Sequence, residues 1–226
     1  MTNVPSAPVW KQRKFIIALV ALLGLLTLSV WYGAGGRTPL NQTEIDTLIN
    51  TISAQTQKPG GRHDFHRLRR FLEADDGGPF YTVNLYKFYP EARYDFADKR
   101  AVEKIFPNEK PYGSGSDAYD RFANIMIPLL AKHGAQPVFG TRWIAENASG
   151  WDRLVIVRYR SRRDIAEMFT TDDFLQANIH KWAALQKNER FKVQGRVLPE
   201  LYIILGFLAA GILIYLIGRH LSARNN

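Results

Sequence analysis

Residues 80–88 read FYTVNLYKF, a β-rich run placed directly after the turn signal Asp75-Asp76-Gly77-Gly78-Pro79. Strand alternation puts Val83 and Leu85 on one side and Asn84, Tyr86 and Phe88 on the other, so both faces are largely apolar. Such a strand needs cover on each side, and its neighbours must supply it. Upstream, 43–53 (TEIDTLINTIS) carries Ile45, Leu48, Ile49 and Ile52 at helical spacing, with Thr43 as a cap. Lys58-Pro59-Gly60-Gly61 breaks the chain, and Asp64 then caps a short helix whose stripe is Phe65, Leu68, Phe71 and Leu72.

Downstream, 90–115 is a polar, Gly- and Pro-marked excursion. A helix follows from Ser116 or Asp117 to about Lys132, buried through Phe122, Ile125, Met126 and Leu129, kinked at Pro128 and stopped by Gly134. Strands at 137–145 (PVFGTRWIA) and 151–160 (WDRLVIVRYR) form a hairpin over Asn147-Ala148-Ser149-Gly150. Helical segments at 162–169 and 171–187 come next, the second capped by Thr171 with Phe174, Leu175, Ile179, Trp182 and Leu185 inward. A last strand is expected at 191–197. The order β-α-β-β-α-β predicts an α+β, ferredoxin-like split βαβ domain, an antiparallel sheet with helices on one face. Leu154, Val155, Ile156 and Val157 make the hairpin's second strand apolar on both sides. The open face therefore calls for cover, most simply a second copy, a homodimer through the sheet face.

The chain has 226 residues, 46% hydrophobic and 23% charged, with a mean hydropathy of −0.22. That average conceals two uncharged runs, 15–36 and 201–218. As helices they rise roughly 33 Å and 27 Å, against a hydrocarbon core of about 30 Å, so both are expected to span a membrane. Trp31, Tyr32, Tyr202 and Tyr215 suit the interfaces, and Lys11, Arg13 and Lys14 place the N-terminus inside. The expected organisation is a cytoplasmic segment 1–14, a transmembrane helix 15–36, a helical lead-in 37–79, the ferredoxin-like domain 80–197, a transmembrane helix 198–218 and a cytoplasmic tail 219–226. This is a multi-pass plasma (inner) membrane protein with the bilayer as partner and 37–197 extracytoplasmic. A signal peptide cleaved near Ala34-Gly35-Gly36 is the alternative. Gly206 and Ala210 form a small-xxx-small face for a helix partner.

The +9 charge shrinks to +5 over 37–197, which holds 25 of the 30 basic and 20 of the 21 acidic groups. It reads as topology and solvated faces, not nucleic-acid recognition. With no cysteine, disulfides, thiolate metal sites and cysteine nucleophiles are excluded.

The blocks VNLYKF, GSGSDAYDRFANIMIPLLAKHGAQPVFG, WDRLVIVRYRSR and MFTTDDFLQANIHKWAAL, from about Phe80 to Gly195, resemble the DUF1330-like uncharacterised proteins of the dimeric α/β-barrel superfamily. The resemblance implies a ferredoxin-like domain that pairs sheets face to face, and it assigns no activity. The superfamily includes cofactor-free oxygenases, haem enzymes and isomerases that use a cavity between sheet and helices. Where the family often shows His-Arg before Ala-Ala-Leu, this chain has His180 and Lys181, with Trp182 intervening, so no guanidinium role carries over.

Among single residues, Asn84 and Tyr86 share one strand face, where the amide suits a ligand carbonyl or ties down a loop. His180 suits a general base, haem iron or a helix flank. Tyr119, Trp143 and Arg158 suit a pocket wall or core and rim. His63 and His66 lack a ligand set, and no metal site or cofactor is implied by any motif. Two readings stay open, a binding or assembly module and a small-molecule enzyme of the dimeric-barrel kind built on His180, Asn84 and Tyr86.

Overall fold

The computed structural model describes residues 16–17, 19–24, 27, 38–108, 113–142, 144, 150–194 and 198–223, with the backbone alone at 198–202, 205, 219 and 221–223. Two units divide the chain, 1–35 with 195–226, and 36–194. Trp143, the turn residues 147–149, the flank Lys11, Arg13 and Lys14, and the aromatics Trp31 and Tyr32 lie outside the described residues, as does the side chain of Tyr202.

The unit 36–194 is mixed α+β. Its elements are α1 (Gln42–Ala54), α2 (Phe65–Glu73), β1 (Phe80–Phe88), α3 (Phe96–Ile105), α4 (Gly115–Lys132), β2 (Gln136–Gly140), β3 (Arg153–Tyr159), α5 (Arg162–Phe169), α6 (Asp172–Ala184) and β4 (Leu185–Val193). The helix starts follow from local chemistry. Asn41 and Glu44 close a capping box on α1, Ser114 and Asp117 close one on α4, and the side chains of Asp64, Asp95 and Thr171 accept from the first-turn amides of α2, α3 and α6. Asn41 thus caps the first helix in place of Thr43.

The four strands pair antiparallel in the order β2-β3-β1-β4. β1 is central, with Asn84 opposite Val155 of β3 and Arg190 of β4, and Tyr86 opposite Arg153 and Asn188. β4 differs from the expected strand at 191–197 and α6 from the expected helix to Lys187. The ladder runs from Phe88↔Leu185 to Tyr81↔Val193, so strand pairing captures the polar run that helical spacing would have continued. The excursion 90–115 holds α3, whose Val102 is fully buried.

Helices α4 and α6 pack along each other over one sheet face, and Phe122, Met126, Leu129 and Leu130 of α4 are buried there. Each such side chain contributes about 1.5–3 kcal/mol by leaving water. The opposite face keeps Val83, Leu85, Leu154 and Ile156 half-buried and Phe139, Phe191 and Val193 exposed. Three arginines are ion-paired within the unit: Arg69 with Asp46 at 2.7 Å, Arg163 with Glu44 at 2.7 Å and Arg160 with Asp164 at 3.0 Å.

The unit 1–35 with 195–226 carries helical residues at 16–17, 19–24 and 27, and α7 (Leu198–Ala223). The membrane expectation is overturned: among the described residues no helix is long and apolar enough to cross a membrane. The transmembrane helices at 15–36 and 198–218, the multi-pass plasma-membrane location and the extracytoplasmic placement of 37–197 all fall with it. On α7, Gly206 is exposed, and a Cβ added there would meet nothing within 4 Å.

Candidate functional site

Alternation along β1 turns Asn84 and Tyr86 toward the helices, and the register brings Arg153 and Val155 of β3 and Asn188 and Arg190 of β4 to the same side. α4 sets Tyr119, Phe122 and Met126 against them, and α6 sets Phe174, Asn178 and Lys181 at i, i+4, i+7. With His63 and Phe71 these residues line a cavity of about 970 Å³. It reaches the β4 edge, where Asn188, Arg190 and Lys192 are exposed.

The lining is cationic: seven arginine and lysine residues against Asp64 and Asp120. Both acids are already engaged, Asp64 with Arg67 at 3.2 Å and Asp120 with Arg153 at 3.1 Å. Arg62 is likewise held, by Asp95 at 2.7 Å and Asp98 at 3.4 Å. Lys181, Arg190 and Lys192 have no ion pair among the described residues.

Lys181 is 6% exposed, and its Nζ stands 5.8 Å from the Tyr86 ring centre, 5.5 Å from that of Phe122 and 5.6 Å from that of Trp182. Burial, and then the neighbouring Arg190 charge, hold its ammonium well below the ordinary lysine range. Burial also pushes the Tyr86 hydroxyl well up and that of Tyr119 to about 12, so both remain protonated phenols. Their rings are 5.1 Å apart. His63 stacks on Phe174 at 5.8 Å, and burial, with Arg190 and Lys181 nearby, lowers it to about 4. The buried Nε2 of His63 and Nε1 of Trp182 have no hydrogen-bond partner among the described residues, and both residues line the cavity.

The structure brings Asn84, Tyr86 and Tyr119 together and separates them from the other sequence candidates. Asn84 Nδ2 donates to Thr82 Oγ1 at 3.0 Å and to the Val155 carbonyl at 3.1 Å, so its N–H groups tie β1 to β3. His180 is fully buried on the far side of α6, its Nδ1 2.8 Å from the Tyr94 hydroxyl and its ring 5.3 Å from Phe106. It does not line the cavity. Arg158, opposite Tyr81 and Gln136 in the ladder, belongs to the other sheet face and is 1% exposed. Trp143 lies outside the described residues. No group of three or more metal-ligating side chains stands among the described residues.

Sequence reading did not select Lys181 or Arg190 as site residues and weighed His63 only as a metal ligand. Phe174, Asn178 and Lys181 at i, i+4, i+7 carry a legible helical signal. Arg190 has no signal before β4 is known to pair with β1.

No family model and no curated protein matches this chain. Two solved structures are similar. The methylated RPA0582 protein is 18% identical, with a TM-score of 0.50, over 61% of this chain and 95% of that one. The RPA0582 protein of unknown function from Rhodopseudomonas palustris, a structural genomics target, is 21% identical, with a TM-score of 0.48, over 60% of this chain and 96% of that one. The first likeness supports the mixed α+β fold and nothing about activity.

Proposed function

We propose that the domain binds a small anion with an aromatic or apolar body in the cavity between sheet and helices. The observation that carries this reading is the gathering of Lys181, Arg190 and Lys192, none ion-paired among the described residues, in a cavity lined by Tyr86, Tyr119, Phe122 and Trp182. Arg190 and Lys192, cations without an ion pair among the described residues, favour a ligand that brings a carboxylate, and the apolar walls beside Lys181 favour one that buries a ring. The strand order β2-β3-β1-β4 supports a ferredoxin-like topology of the dimeric-barrel, DUF1330-like kind. The exposed Phe139, Phe191 and Val193 support a second copy covering the open sheet face.

The test is titration of the full chain with 3-phenylpropionate, followed by tryptophan fluorescence, against 3-phenylpropanol. One charge-assisted contact contributes about 1.5–3 kcal/mol, so the acid is expected to bind at least about tenfold more tightly than the alcohol. Salt should weaken the acid, and Arg190→Ala should weaken it further. Equal affinity for acid and alcohol, or no binding by either, overturns the reading.

A further inference from the structure

Resting on that cavity reading, we infer that Lys181 is an amine nucleophile toward the carbonyl of a bound 2-oxo acid with an aromatic or apolar side chain. The geometry makes the case. Lys181 is more than nine-tenths buried, lines the cavity, and has neither an ion pair nor a side-chain hydrogen bond among the described residues. A structural lysine at such depth is ordinarily paired with a carboxylate, because an isolated buried ammonium costs several kcal/mol. Here the charge that acts on the amine is positive: Arg190, which stands across the ladder from Asn84 and lines the same cavity as Lys181. The three ring faces around Nζ leave the amine shielded from bulk water, and burial with the Arg190 charge lowers its ammonium well below the ordinary lysine range.

The substrate class follows from what surrounds the amine. Arg190 and Lys192 at the cavity's β4 edge suit a carboxylate, and the aromatic walls suit an apolar side chain. A carbonyl beside the carboxylate would lie between the exposed arginine and the buried amine. The nitrogen lone pair forms a bond to the carbonyl carbon as the C=O π pair moves to oxygen, which takes a proton. The carbinolamine nitrogen then loses its protons while the C–O bond breaks and the oxygen departs as water. Amine and carbonyl give imine and water, and no electrons are gained or lost. Tyr86 and Tyr119, protonated phenols lining the same cavity, can relay the protons and are regenerated.

The experiment is reductive trapping on the full chain near neutral pH, with phenylpyruvate and sodium cyanoborohydride, followed by peptide mass mapping. The adduct is expected on Lys181 and scarcely on exposed Lys58 or Lys132. An excess of 3-phenylpropionate should suppress it, and Lys181→Arg and Lys181→Met should abolish it with far-UV circular dichroism unchanged. The wild-type competition decides the matter even where a variant fails to fold. If phenylpyruvate binds, as fluorescence shows, and no adduct forms on Lys181, or adducts spread evenly over exposed lysines, the inference is overturned and the cavity reading stands. If neither acid binds, both are overturned.

Discussion

His180 and Lys181 are consecutive on α6 and face different sides of it: the imidazole stands 2.8 Å from the Tyr94 hydroxyl, whereas the amine lies over the rings of Tyr86 and Phe122. A rotation of about 100° per residue is enough to put one in the packing beside α3 and the other in the cavity. The pair gives opposite expectations for stability and for binding.

Replacing His180 should cost stability and spare the site. His180→Ala opens a hole beside Tyr94 and Phe106 and is expected to destabilise the domain by about 2–4 kcal/mol in urea unfolding. Affinity for 3-phenylpropionate should change little. Unchanged stability with lost affinity would return His180 to the site.

Acid should unfold the domain through its buried histidines. Burial holds His180 at about 4, against an ordinary value near 6.5, and His63 at about 4 through burial with Arg190 and Lys181 nearby. Above pH 6.5 both are neutral folded or unfolded, and their full contribution is present. As pH falls from 6.5 toward 4 the unfolded chain binds protons that the folded chain refuses, so stability is lost. For fully buried His180 the gap corresponds to on the order of 3 kcal/mol. Thermal midpoints of wild type and His180→Phe across this window should converge at low pH; parallel curves would refute the assignment.

Lys181→Met should stabilise the fold while removing the function. It replaces a buried amine, unpaired among the described residues, with an apolar chain of similar shape, for an expected gain of about 1–3 kcal/mol near neutral pH. Because the folded amine deprotonates before the unfolded one, the penalty it removes shrinks as pH rises toward the ordinary lysine value. The measured gain should therefore be larger at neutral pH than in alkaline buffer. A loss of stability at neutral pH would mean that the cation–ring contacts outweigh desolvation.

The open sheet face gives a prediction about assembly. Phe191 and Phe139 are 47% and 54% exposed, so Phe191→Glu and Phe139→Glu should leave the single domain within about 0.5 kcal/mol of wild type. Sedimentation should shift from dimer to monomer. A wild-type chain that already sediments as a monomer at high concentration would remove the second copy from the account.

The sequence by itself determined the pieces whose cause is local. FYTVNLYKF is a strand over the expected residues 80–88, Asp64 and Thr171 cap the helices expected of them, and Gly134, with φ of +64°, stops α4 where a side chain would run into Arg160. Caps and turn glycines such as these act on their own neighbours, so their signal lies within a few residues of sequence. The tertiary structure alone decided where α6 gives way to β4, because that boundary depends on the β1 backbone supplying partners from Leu185 onward. It decided which of His180 and Lys181 meets the cavity, since a one-position difference in helix phase cannot be read when both flanks of the helix are buried. It also placed Arg190 opposite Asn84, more than a hundred residues away in the chain, through strand register.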